Sequence, residues 1–158
     1  MNVLHEARLR EIDPVTLYRI LALRADVFVV EQDCAYLDPD GRDLEADALQ
    51  LWAESDGEVV ATLRLLRDGS ARTARIGRVA TARDSRGAGI AAALVQRAIA
   101  RAGGAEIVLD AQTYLAAWYA RFGFERDGPE FVEDGIAHVP MRRPAPQRND
   151  GESTTSSR

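Results

Sequence analysis

The sequence predicts an α/β (α+β) fold of one domain, with a mixed, largely antiparallel central sheet flanked by helices. The length of 158 residues and the 46% share of hydrophobic residues suit a single domain with a sizeable core. Three strand-like runs in the middle of the chain are joined by hairpin signals, which indicates antiparallel pairing. Helical patterns lie on both sides of a further strand-like run in the second half. Helices and strands therefore share one domain, which we expect over residues 1–143.

The first elements are a strand within residues 2–10 and a helix over 13–28. Asp13 can cap this helix, and Pro14 suits its first turn. The apolar residues that share one face at helical spacing are Leu17, Ile20, Leu21 and Phe28. A long loop rich in carboxylates follows over 29–47, and long ordered loops in compact domains often have a functional role.

The middle of the chain predicts an antiparallel meander. Its strand-like runs cover residues 49–55, 58–66 and 73–81. The first turn contains Asp56-Gly57 and the second contains Asp68-Gly69, and both dipeptides are hairpin signals.

Helices and strands alternate after the meander. We expect a helix from about 87 to 102, a strand over 105–110 and a second helix over 113–122. Two last strands, over 124–132 and 136–143, are joined through a turn at Asp134-Gly135. The polar, proline-bearing tail over 144–158 is expected to be disordered.

Composition excludes several classes of function. A net charge of -5 argues against a nucleic-acid partner, and the absence of lysine excludes a Schiff base or a Walker lysine. A single cysteine, Cys34, allows no intrachain disulfide, and the two histidines give no metal-ligand spacing. No apolar run has membrane-spanning length, and the N-terminus lacks a signal-peptide hydrophobic region. We expect a cytoplasmic protein without metal or membrane partner.

A glycine loop precedes the helix that begins near residue 87. Residues 87–92 fit the dinucleotide pattern G-x-G-x-x-A, with Asp110 downstream for a ribose contact. However, five residues separate the preceding strand from the first glycine, and an antiparallel meander comes before it. The same stretch also fits Arg-x-x-Gly-x-Ala at Arg86, Gly89 and Ala91. In either interpretation, the backbone N–H groups at a helix start would hold phosphate, unless the glycines only shape an ordinary turn.

A second motif follows in residues 110–124, "DAQTYLAAWYARFGF". Gln112 begins a helix that contains Tyr119, and Gly123-Phe124 close the motif. Together the two motifs resemble the two signatures of the GCN5-related N-acetyltransferase (GNAT) superfamily, in the right order and after the expected meander. The runs "RADVFVVEQDCAYLDPDGRDLEAD" and "EDGIAHVPM" resemble the ElaA-type branch. Gln50 stands where that branch usually has histidine, and Ala137 where it commonly has proline.

The resemblance implies a GNAT fold, splayed between the central strands, and transfer of an acetyl group from acetyl-CoA to a primary amine. The acceptor would be a small-molecule or peptide amine. The pantetheine arm would pair with the edge Val79-Ala80-Thr81, where the Ala80 N–H would face the thioester carbonyl. Tyr119 would be the acid at the sulfur. Further cofactor contacts are implied for Arg86, Gly87, Ala88, Gly89, Ile90, Ala91 and Gln112.

The base and the acceptor are less defined. Glu31 is our candidate base, and Asp33 lies in the same loop, whereas Arg78 stands where many relatives have glutamate. Cys34 and His138 are interpreted first as structural. The acidic residues of the 29–47 loop hint at a cationic acceptor or form a solvated surface. Two rival functions stay open, a catalytically silent acyl-CoA-binding sensor and a dinucleotide-binding protein. The sequence defines no oligomeric state.

Overall fold

In the computed structural model of the chain, the described residues are 1–69 and 72–147. They form one mixed sheet in the order β1-β2-β3-β4-β5-β8-β6, with β7 also paired to β8. The strands are β1 Val3–Ala7, β2 Leu49–Ser55, β3 Glu58–Asp68, β4 Thr73–Thr81, β5 Glu106–Gln112, β6 Glu125–Arg126, β7 Phe131–Glu133 and β8 Ile136–Arg143. The predicted meander is confirmed, because β2, β3 and β4 pair antiparallel in sequence.

Among the described residues, three α-helices flank the sheet: α1 Pro14–Arg24, α2 Ile90–Ala102 and α3 Ala116–Ala120. The predicted cap of α1 is present, since the Asp13 carboxylate accepts a hydrogen bond from the Thr16 N–H at 3.1 Å. The helical path continues as a π-helix over Ala25–Glu31, so the expected loop begins only after residue 31. A 3-10 turn, Thr113–Leu115, precedes α3.

The two faces of the sheet are covered by different helices. One core cluster contains Leu94 and Val95 of α2, Tyr119 of α3 and alternate residues of β5 and β8. A smaller cluster, with Ile20 and Trp52, joins α1 to the opposite face. The buried side of α1 is formed by Ile20, Leu23 and Arg24, whereas the predicted Leu17 and Leu21 are only partly buried.

The strands β4 and β5 run parallel and pair over three residues only. Thr73, Ala74 and Arg75 pair with Glu106, Ile107 and Val108, and no later residue of β4 pairs with β5. The antiparallel partners of both strands, β3 and β8, continue to pair beyond this point. The central strands therefore diverge toward their C-terminal ends, which confirms the expected splay.

One predicted strand is wrong. The run over 124–132 is two short strands, β6 and β7, separated by residues 127–130. Pro129 has no N–H to donate to a ladder, and Gly128 packs so closely that an added Cβ would lie 2.9 Å from Pro140. The Asp127 N–H still donates to the Pro140 carbonyl of β8, so the interruption of pairing begins after residue 127.

The expected disorder of the tail falls largely on residues 148–158, which lie outside the described residues. Within the described ranges, no helix combines the length and apolar character needed to cross a bilayer. The same ranges contain no group of three or more His, Cys, Asp or Glu side chains suited to a metal ion.

Candidate active site

A cleft of about 1270 Å³ opens where β4 and β5 diverge. Its walls come from the end of β4, the glycine loop, the end of β5, α3 and the start of β8. The cleft brings together most of the residues predicted from sequence, namely Glu31, Val79, Ala80, Thr81, Arg86, Gly87, Gly89, Ile90, Ala91, Gln112 and Tyr119. Ala88 is exposed between the two loop glycines.

A β-bulge shapes the β4 side of the cleft. Arg64 of β3 pairs with Gly77 and Thr62 pairs with Ala80, so two residues of β4 oppose one residue of β3. Arg78, the first residue of the bulge, has a positive φ of 52°. The bulge, Arg78-Val79, bends β4 where the edge Val79-Ala80-Thr81 begins, and this edge lies in the part of β4 that β5 does not pair.

The glycine loop leaves the N-terminus of α2 open to the cleft. Gly87 and Gly89 have φ values of 83° and 77°, in the left-handed region that favours glycine. Gly89 is the N-cap residue of α2, and no side chain caps this end. Helix starts carry N–H groups without intrahelical partners and the positive end of the dipole, so this end attracts an anion.

Glu31 and Arg86 connect the two sides of the cleft. Arg86 Nη2 donates to Glu31 Oε1 at 2.8 Å, and Arg86 Nε donates to the Thr81 carbonyl at 3.1 Å. The hydrogen bond from Arg86 lowers the pKa of Glu31, with Arg83 adding to the effect. Glu31 therefore lies at the cleft as predicted, but its lowered pKa weakens it as a proton acceptor.

Tyr119 projects from α3 into the core cluster and borders the cleft. Its ring packs edge-on against Trp118 and Phe124, with centroids 4.8 Å and 6.0 Å away. Burial raises the pKa of Tyr119 to about 12, with Tyr114 adding to the shift. The hydroxyl is therefore protonated at neutral pH and is available as a hydrogen-bond donor.

Gln112 and His138 form the opposite wall. They are Cα partners across β5 and β8. Gln112 precedes the 3-10 turn that leads to α3, although its side chain makes no cap hydrogen bond there. His138 stacks on Phe131, with ring centroids 5.6 Å apart and an interplanar angle of 19°. The sequence placed His138 in a strand and favoured a structural role for it over a role as base.

The acidic loop is largely neutralised by arginines, which the sequence did not predict. Arg24, only 1% exposed, donates to Asp38 and Asp43 at 2.8 Å each. Arg64 donates to Asp40 at 2.7 Å. The sequence contained one signal of this network. Arg24 and Arg64 each lie within a largely apolar run, and a charge that is buried there requires partners. These carboxylates therefore contribute little free negative charge for a cationic acceptor.

Three other singled-out residues have structural partners. The Gln50 amide donates to Asp43 at 2.8 Å and is buried, so the position that usually holds histidine belongs to the arginine network. Arg78 lies 2.8 Å from Asp38 and covers the ring of Tyr36. The buried Cys34 thiol is 3.3 Å from the carbonyls of Gln32 and Asp134. Asp33 is exposed.

Comparisons with known proteins identify relatives of this chain. A family model described as an acetyltransferase (GNAT) domain matches residues 32–144. The UPF0039 protein Rv2851c of Mycobacterium tuberculosis is 50% identical over 138 residues, which cover 85% of this chain and 88% of that protein.

Two crystal structures share the fold. An acyl-CoA N-acyltransferase from Pseudomonas aeruginosa has 36% identity and a TM-score of 0.85, with 90% of this chain and 99% of that chain covered. Escherichia coli ElaA has 32% identity, the same TM-score and the same coverage. The cleft between β4 and β5 thus lies in a fold that these relatives share.

Proposed function

Because the chain belongs to the GNAT acetyltransferase family, in its ElaA-type branch, we propose that it transfers an acetyl group from acetyl-CoA to a primary amine. The amine is carried by a small molecule or a peptide and attacks directly, through a tetrahedral intermediate. One observation supports this proposal above all. The gap between β4 and β5 is bordered both by the uncapped N-terminus of α2 and by the Tyr119 hydroxyl-bearing side chain.

The residues at the gap fit an acyl-CoA. The backbone of residues 86–91 would hold the pyrophosphate, since the N–H groups at the α2 start are uncapped and the glycines add no side chain. Val79, Ala80 and Thr81 would pair with the amides of the pantetheine arm, because β5 leaves this part of β4 unpaired. The expected donor, the Ala80 N–H, faces β3 instead, because the Ala82 N–H donates to the Val60 carbonyl and N–H directions alternate along a strand. The Thr81 N–H would therefore donate to the thioester carbonyl and stabilise developing negative charge. Gln112 would border the arm from the β5 side.

Tyr119 would assist the departing sulfur. With a pKa raised to about 12, its hydroxyl stays protonated and can donate to the sulfur as the C–S bond breaks. A free thiol has a pKa of about 8.5, so the thiolate is a weaker base than the Tyr119 phenolate. Donation of a strong hydrogen bond, completed by proton uptake from solvent, therefore fits this pair better than full transfer from tyrosine.

The amine must lose a proton as it becomes an amide. Glu31 remains a candidate for this role, but its carboxylate is engaged by Arg86. Asp38 and Asp40 are engaged by the arginine network and are poorer candidates still. The group that accepts this proton thus has to be sought on another wall of the cleft.

The test is a panel of primary amines and peptides, assayed by free-thiol release from acetyl-CoA. The proposal expects one acceptor class to give turnover that requires both substrates. Tight CoA binding without transfer to any acceptor would instead favour the sensor. Calorimetric binding of NAD in preference to CoA would support the dinucleotide-binding alternative.

A further inference from the structure

We propose that His138 is the general base that accepts the proton of the acceptor amine, a role that rests on the transfer reaction proposed above. His138 lies on β8, with Gln112 of β5 and Phe131 of β7 as its Cα partners on the two sides. It borders the same cleft as Tyr119 and the Val79–Thr81 edge.

The ring of His138 is held in one orientation and one tautomer. Its Nδ1 lies 2.8 Å from the carbonyl oxygen of Ile136. A carbonyl oxygen can only accept a hydrogen bond, so the proton of the neutral ring resides on Nδ1. The lone pair is then on Nε2. Stacking on Phe131 fixes the plane of the ring, so that Nε2 has a defined direction.

Strand alternation places His138 on the face of the sheet opposite Tyr119. Ala111 and Val139 are Cα partners, and both are buried in the core cluster that contains Tyr119. Successive side chains of a strand point to opposite faces, so Gln112 and His138 point away from that cluster. Tyr119 and His138 therefore border the cleft from its two sides.

Acyl transfer uses an acid and a base at two different places, as Tyr119 and His138 are placed here. An acid must meet the sulfur that leaves, and a base must meet the nitrogen that attacks from another direction. The acceptor ammonium ion gives one proton to Nε2 of His138, and the neutral nitrogen then forms the N–C bond while the electron pair of the C–S bond leaves with the sulfur. The attacking nitrogen loses its second proton to solvent. The thiolate gains a proton, the imidazolium returns one to solvent, and an amide and a thiol remain.

Two carboxylates at the cleft are weakened as bases by arginines. The hydrogen bond from Arg86 lowers the pKa of Glu31. The hydrogen bond from Arg64 lowers the pKa of Asp40. Of the two histidines in the sequence, only His138 borders the cleft. His5 stacks on Trp52 at 5.3 Å and lies beside Glu54, on β1 at the far edge of the sheet.

The first test is the tautomer, read from long-range ¹H–¹⁵N spectra of labelled protein. With only two imidazoles in the chain, a His5→Gln variant assigns both signals. The neutral His138 ring should carry its proton on Nδ1, and CoA should shift the His138 signals more than those of His5. A proton on Nε2 would overturn the proposal, because that nitrogen could not then accept another.

The second test uses two probe amines of nearly equal shape, ethylamine and methoxyamine, with acetyl-CoA and thiol detection. Ethylamine is a cation at neutral pH and must give up a proton before it can attack, whereas methoxyamine is a weak base and is already neutral. His138→Gln should lower kcat/KM for ethylamine by about 10²-fold or more. For methoxyamine the loss should be less than about tenfold, because its nitrogen needs no deprotonation before it attacks.

The outcomes separate the two proposals. Equal losses with both amines would assign His138 a structural role and overturn the inference, as would an unchanged rate with ethylamine. His5→Gln is the matched control and should behave as the parent with both probes. If the parent transfers acetyl to neither probe nor to any amine of the wider panel, the transfer reaction itself is overturned, and the role of His138 with it.

Discussion

Glu31 accepts a hydrogen bond from Arg86 at 2.8 Å, so the π-helical segment after α1 is joined directly to the residue that precedes the glycine loop. The pair is partly open to solvent, with 24% of the Glu31 side chain and 42% of the Arg86 side chain exposed. A pyrophosphate bound at the start of α2 would compete with Glu31 for the Arg86 guanidinium.

Replacing Glu31 with Gln should therefore strengthen CoA binding. Exposed ion pairs contribute about 0.2–1 kcal/mol, so a gain of up to about fivefold in affinity is expected by calorimetry. Turnover should fall by less than about tenfold. Glu133→Gln is a control, because Glu133 borders the cleft on an exposed strand. A fall in kcat of about 10²-fold for Glu31→Gln would identify Glu31 as the base and exclude His138 from that role.

Replacing Gly89 with Val should abolish most CoA binding. A branched side chain would stand where the phosphate approaches the backbone, at a φ of 77° that favours glycine. Gly57→Val is a closely matched control, because Gly57 also has a φ of 77° and open space around its Cβ position, but lies in the β2–β3 turn. Both variants should lose similar stability in thermal melts. Parental CoA affinity in Gly89→Val would show that the phosphate site lies elsewhere.

Replacing Tyr119 with Phe should lower kcat by about 10²- to 10⁴-fold, with the affinity for acetyl-CoA little changed. The ring and its packing remain, and only the hydroxyl that would meet the sulfur is lost. Tyr114→Phe is the control, since Tyr114 borders the same cleft but is 77% exposed. The measurement is thiol release under conditions where chemistry limits turnover. A Phe variant as fast as the parent would remove Tyr119 from the mechanism.

Replacing Asp43 with Asn should lower the free energy of unfolding by about 3–5 kcal/mol, because Arg24 would lose a partner in the interior. Burial acts to raise the pKa of Asp43, but the hydrogen bond from Arg24 outweighs it and the pKa is lowered overall. A lowered folded-state pKa stabilises the fold above the unfolded value of about 3.9, and this contribution is lost as the pH falls further.

Denaturant unfolding at several pH values measures this effect. The difference between the parent and Asp43→Asn should be largest near neutrality and should shrink below about pH 4. Asp47→Asn is the control, because Asp47 is exposed, and it should stay within about 0.5 kcal/mol of the parent. An equally small effect at Asp43 would mean that the arginine network contributes little to stability.

Local patterns with a single physical cause were predictable from sequence. Asp13 and Pro14 defined the start of α1, and the Asp-Gly pairs defined the turns of the meander. Gly89 and Tyr119 were recognised because their motifs have fixed spacing. Each of these features depends on neighbours within a few residues along the chain.

Features that depend on partners far apart in sequence were not predictable in the same way. Nothing close to Arg24 or Arg64 in the sequence identifies their partners, because only the tertiary fold brings Asp38, Asp40 and Asp43 to them. The break between β6 and β7 depends on Pro140, which lies on another strand. His138 reached the cleft through pairing with β5, which follows from strand order rather than from any motif.

Because β4–β5 pairing ends early, hydrogen exchange in this region can show whether a ligand is bound in the cleft. Backbone amides that face the gap after Arg75 and Val108 have no ladder partner from the opposite strand. Such amides exchange their hydrogens with solvent more readily than those inside a continuous sheet. A bound molecule with amide groups of its own would slow deuterium uptake along Ile76–Thr81. Deuterium uptake by the individual peptides of this segment thus reports whether a ligand bridges β4 and β5.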